Sequence, residues 1–148
     1  MGLIHIDPFA SLDGVVQAPG DPEEDPADDF AFGGWQAPLI DDVVGQHIDA
    51  GLAGMDALLL GRRTCDIFAS YWPQLDGRIA QLFNRIPKCV ASRKSLNPEW
   101  AGTSQLGRDL VSSVQPLREK HQSFHVIGSL DLVQTLFADR LFDQLNLW

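Results

Sequence analysis

Asp56-Ala57-Leu58-Leu59-Leu60-Gly61-Arg62-Arg63-Thr64 decides how the rest of the chain is read. A short, uninterrupted apolar run is the pattern of a strand buried on both faces, as in a parallel sheet. It stops at Gly61, and beyond Thr64 the sequence reads as a helix as far as Tyr71. A strand that runs through glycine into a helix makes an anion seat, because the first N–H groups of the helix lack intrahelical partners and carry partial positive charge. Thr64 is placed to cap that helix. Arg62 and Arg63 add planar, permanently charged donors suited to phosphate. The competing reading of these arginines is ion pairing with acids at the surface.

Working outward, the same sequence grammar recurs. Lys88-Cys89-Val90-Ala91-Ser92 reads as a strand that leads into Arg93-Lys94, and Phe124-His125-Val126-Ile127 as a strand that stops at Gly128-Ser129 before a helix over 131–138. Upstream, residues 3–9 form a first strand weakened by Pro8. Ser11 to Val16 contains a tight turn at Asp13-Gly14. Residues 38–54 carry apolar side chains at the spacing of one helix face, with Asp41 and Asp42 in the first turn. Further helices are expected over 77–85 and 107–120, a small strand over 104–106 and a last strand over 142–148. Strands alternating with helices give an α/β, three-layer fold with a mostly parallel central sheet flanked by helices, in a single domain over 1–148. Ligands in such folds sit beyond the carboxyl ends of the strands, where all three polar junctions fall.

Composition narrows the function. With 148 residues, 45% hydrophobic and 21% charged, the chain is long enough to bury a core. Its formal charge of −9 argues against nucleic-acid or anionic-membrane partners. Much of the acid is local to residues 21–29, within a Pro-, Gly- and acid-rich stretch over 18–37 that reads either as a lid or as a solvated loop. The first ten residues lack the features of a signal peptide and no apolar run is long enough to span a membrane, so a cytoplasmic location is expected. Cys65 and Cys89 lack metal-ligand spacing, and His121 and His125 straddle a loop and a strand start, so no metal site is expected. His5 and His47 are isolated. Trp35 either covers a core edge or lines a substrate pocket. Ser129 lacks the flanking glycines of a nucleophile elbow.

Ser11-Leu12-Asp13-Gly14-Val15-Val16, Leu59-Leu60-Gly61-Arg62-Arg63-Thr64, Val90-Ala91-Ser92-Arg93, and Gly128-Ser129 followed by Asp131 to Leu136, in this order, resemble the dihydrofolate reductase-like superfamily. The closer resemblance is to its branch related to the C-terminal reductase domain of the bifunctional riboflavin-biosynthesis protein. It implies a reductase that moves hydride from NADPH to a small pterin- or pyrimidine-like heterocycle. Gly61, Arg62, Arg63 and Thr64 would hold the cofactor phosphates, and Ser92 and Arg93 would face the adenosine 2′-phosphate. Gly128 and Ser129 would present a helix N-terminus to the pyrophosphate, with Ala10 to Val16 beside the nicotinamide. By the same resemblance the proton donor lies on the first helix, which points to Asp41, Asp42 or, further along, Asp49, with Asp41 the nearest to the apolar face. Leu130 stands where many relatives carry glycine or alanine, and relatives continue past the last strand while this sequence ends at Trp148. A homodimer covering the sheet edge that lacks the final C-terminal strands is therefore expected. The alternative to a reductase is a non-catalytic, dimeric ligand-binding relative.

Overall fold

The computed structural model describes residues 1–97 and 99–148. Six strands form one sheet: β1 (Leu3–Ile6), β2 (Ala57–Gly61), β3 (Lys88–Ala91), β4 (Thr103–Gln105), β5 (Ser123–Val126) and β6 (Gln144–Leu145). Their order is β4-β3-β2-β5-β1-β6, and every pairing is parallel. The helices are α1 (Asp42–Gly51), α2 (Arg62–Tyr71), α3 (Arg78–Arg85), α4 (Leu110–Lys120) and α5 (Leu130–Ala138).

Parallel strands need crossovers, and the crossovers cover both faces of the sheet. On one face Ile4, Ile6, Ala57, Leu59, Phe124 and Val126 pack against Val114 of α4 and Leu132, Val133 and Leu136 of α5. On the other, Leu58, Leu60, Val90 and Ile127 meet Cys65 and Phe68 of α2, Phe83 of α3, and Leu52 and Met55 after α1. Ala57 through Leu60 are accordingly fully buried, as the apolar run implied. Lys88 is also fully buried. Its ammonium donates to Asn84 O and Ala101 O, and lies 4.3 Å from the centre of the Trp100 ring. Burial pushes its pKa down to about 8. Burial raises both cysteine thiols, which keeps them protonated.

Several boundaries differ from the sequence reading. β1 ends at Ile6, because Pro8 two residues on has no N–H to give to the sheet. The first helix begins at Asp42; Ala37–Leu39, with proline in it, forms a separate 3-10 turn. The second helix begins at Arg62 with Gly61 as its N-cap, so Thr64 is the third helical residue and does not cap. The last strand contracts to Gln144–Leu145, held to β1 at the sheet edge. Among the described residues no helix is long and apolar enough to cross a membrane, and no group of side chains is arranged to hold a metal.

Candidate active site

The sheet's order places β2 beside β5, and the helices that follow them leave to opposite faces: α2 to one, α5 to the other. Diverging helices open a crevice beyond the strand ends, the usual ligand position in such folds. A cleft of about 2130 Å³ lies there. Its walls come from the ends of β1, β2, β3 and β5, the starts of α2, α4 and α5, and the acidic loop.

The β2–α2 and β5–α5 junctions are locked together. Ser129 Oγ accepts from Gly61 N at 2.8 Å, and Ser129 N donates to Thr64 Oγ1 at 3.0 Å. Gly128 has φ +70° and Ser129 φ +58°. A Cβ at Gly128 would come within 3.2 Å of Thr64 Cγ2 in a left-handed conformation that favours glycine. The hydroxyls of Thr64 and Ser129 therefore fix the backbone, and the groups left facing the cleft are the helix ends themselves. Neither α2 nor α5 has a side-chain cap, whereas α1 and α4 are capped by Asp41 and Asp109. Uncapped N–H groups at the mouth of a cleft are donors without partners, and they favour an anion.

Cations surround these ends. Arg62, Arg63, Arg93, Lys94 and Arg108 all line the cleft. Arg62 pairs with Asp66 one turn along α2 at 3.6 Å, and Arg63 hydrogen-bonds Asp25 of the acidic loop. Both arginines are thus surface-paired, the competing reading of the sequence, and both pairs stand at the cleft wall. Exposed pairs of this kind are worth about 0–1 kcal/mol, little against a multiply charged ligand. Among the described residues Arg93 and Lys94 make no ion pair. Their turn is shaped by Ser92, whose Oγ donates to Lys94 O at 2.7 Å, and is braced by Gln105 Nε2 donating to Ser92 O and Lys94 O.

The acidic loop folds over the cleft as an ordered wall. Gln17 Nε2 donates to Asp25 O and Ala27 O, and Trp35 Nε1 to Gln17 O. Trp35 is thereby a loop fastener outside the cleft lining. Glu24 sits half-buried in that wall, and burial raises its pKa. Val16 lines the cleft; Ala10 does not, and gives its N–H to Trp148 O. Asp41 accepts from Val44 N as the cap of α1, Asp42 is exposed beside it, and neither lines the cleft.

Sequence reasoning missed the cleft floor. Asp7 lines the cleft at the end of β1 and is only 2% exposed. Its Oδ2 meets His125 Nδ1 at 2.7 Å, and its Oδ1 accepts from Asn146 Nδ2 at 2.7 Å. The available signal was a carboxylate in the middle of an apolar strand stretch; its partners lie 118 and 139 residues away. Trp148 also lines the cleft and packs over Gly51, where a Cβ would come within 2.9 Å of its ring.

Fold and site together define an α/β domain with a cation-lined crevice at the switch point of a parallel sheet. The model of the family described as the RibD C-terminal domain matches residues 3–148, and the chain belongs to that family, a reductase-like enzyme family of riboflavin biosynthesis. The crystal structure of a protein from Shewanella sp. PV-4, described as a putative riboflavin biosynthesis protein, shares the fold with a TM-score of 0.65 and 17% identity, over 98% of this chain and 75% of that one. No curated protein matches the sequence.

Proposed function

We propose that the protein is an NADPH-dependent reductase that transfers hydride to a pterin- or pyrimidine-like heterocycle. The observation that carries this reading is the meeting of two uncapped helix N-termini with a cluster of cations in one crevice. Such a donor set fits a ligand with several phosphates in a row. The N-termini of α2 and α5 would take the pyrophosphate, and Arg62 and Arg63 would add charge at the wall. Arg93 and Lys94, in the turn after β3, would take a terminal phosphate and so favour NADPH over NADH. When bound, the cofactor supplies the hydride. The chain's own part is to orient the partners and, through the loop over residues 16–25, to shield them from water.

Thermal shift in NADPH tests the reading. Ligand at about a hundred times Kd stabilises by about 2.7 kcal/mol, which in a domain of this size raises Tm by roughly 5–10 °C. Unchanged melting at millimolar NADPH contradicts it. We also propose a homodimer, supported by the short open edge strand β6, in and just after which Leu145 and Leu147 are 43% and 67% exposed. Sedimentation at monomer mass across the micromolar range contradicts that assembly.

A further inference from the structure

The face of the sheet that floors the cleft carries a polar row across β5 and β1, separate from the buried Lys88 on β3 of the same face. Ser123 and His125 lie two apart on β5, and His5 and Asp7 two apart in register beside them, so all four share that face. His125 is 1% exposed. Its Nδ1 meets Asp7 at 2.7 Å and its Nε2 meets Ser123 Oγ at 3.2 Å. His5 stacks on it, ring centres 4.5 Å apart and planes within 2°. Burial and the neighbouring His125 lower the pKa of His5, which holds it toward its neutral form. Asp143 is the other charge near His5, and it is tied to Arg118 at 2.8 Å. Ser123 is half-buried at the amino end of β5, whereas Asp7 is at the carboxyl end of β1. At about 3.3 Å per residue the row crosses roughly 13 Å of sheet.

A hydrogen-bonded row of this kind is costly as scaffold, since apolar side chains of the same volume would hold three strands together at least as well. Among the described residues nine acids line the cleft, and of these Asp7 alone is buried and held at the end of a strand; the others sit on loops or on helices, exposed or half-exposed.

We propose that Asp7 is the acid of the cleft and that His125, with Ser123, reloads it with protons from the amino-terminal end of the strands. The inference rests on the reductase reading. Reduction of a ring C=N bond adds a hydride to carbon and a proton to nitrogen. The hydride and its electron pair come from the dihydronicotinamide, which is oxidised to the nicotinamide cation. The proton comes from the Asp7 carboxyl group, leaving a carboxylate. His125 then passes its Nδ1 proton to Asp7 as its Nε2 takes one from the Ser123 hydroxyl, which takes a solvent proton in return, and rotation of the ring restores the Nδ1–H form before the next turnover. Asn146 fixes the second carboxylate oxygen, so the acid keeps one orientation throughout.

The test uses 2,4-diaminopyrimidine, a ring base that takes a proton from an acid and reports it in its ultraviolet spectrum. At a pH where the free base is unprotonated, the wild-type protein should bind it in the protonated form, with a change in the 15N resonances of His125. Asp7→Asn should weaken binding at least 100-fold. His125→Gln, which leaves the acid but removes its donor, should weaken it about 10-fold, with far-UV circular dichroism unchanged in both. If Asp7→Asn does not fold, His125→Gln decides. Absence of binding, binding of the neutral ring, or wild-type affinity in the folded variants overturns the proposal. Tryptophan quenching by NADPH, followed in the same samples, separates the two readings. Its absence from the wild type overturns the reductase, while intact quenching with an unprotonated ring overturns only the role of Asp7.

Discussion

Lys88 shows how one buried side chain sets a pH dependence. Its folded pKa is about 8 against an ordinary 10.5. Between those values the folded protein has released a proton that the unfolded chain still holds, so unfolding takes up about one proton and stability rises with pH. Chemical denaturation from pH 8 to pH 10.5 should show this rise as the difference between the wild type and Lys88→Met, since the raised thiols of Cys65 and Cys89 act in the opposite sense in both proteins. Arg93 belongs to the same scale. A charged hydrogen bond contributes about 1.5–3 kcal/mol, so Arg93→Ala should weaken NADPH binding roughly 10- to 100-fold and leave NADH nearly unaffected. Calorimetric titration of both cofactors reads the difference. That Arg62, Arg63, Ser92 and Arg93 stand at the cleft wall was legible in sequence because they come within two residues of the end of an apolar strand run. Asp7, His125 and Asn146 were not, because nothing local to Asp7 shows that β5 and β6 will flank β1.

At the scale of elements, the decisive feature is how each helix begins. Gly61 and Ser129 start α2 and α5 without a side-chain cap, and the hydroxyls of Ser129 and Thr64 are used to tie the two junctions together. Gly128→Ala forces a left-handed alanine against Thr64 and should lower both stability and cofactor affinity, read by melting with and without NADPH. Asp41 gives the contrasting case, since its carboxylate is spent on Val44 N. Asp41→Ala should cost about 1 kcal/mol of stability, whereas Asp41→Asn, an equally good cap, should keep stability and turnover alike. A large loss of turnover in Asp41→Asn would return the proton to α1. The sequence placed Asp41 and Thr64 in the right neighbourhood but gave each the other kind of task. Cap positions depend on where the first helical φ/ψ pair falls, and apolar spacing locates that only to within a residue or two.

Across the whole molecule, the parallel sheet and its two helical layers follow from strands whose apolar runs are too continuous for a one-sided sheet, Ala57 to Leu60 above all. Strand order was not legible, and it is what makes the site: only with β5 between β2 and β1 do Gly61, Ser129 and Asp7 surround one crevice. The central claim is that this crevice is an NADPH site. Tryptophan fluorescence during NADPH titration tests it most directly, because Trp72 and Trp148 both line the cleft. The account predicts saturable quenching that is tighter for NADPH than for NADH and reduced by Arg93→Ala. A flat response to both cofactors at millimolar concentration, with the protein folded, contradicts it.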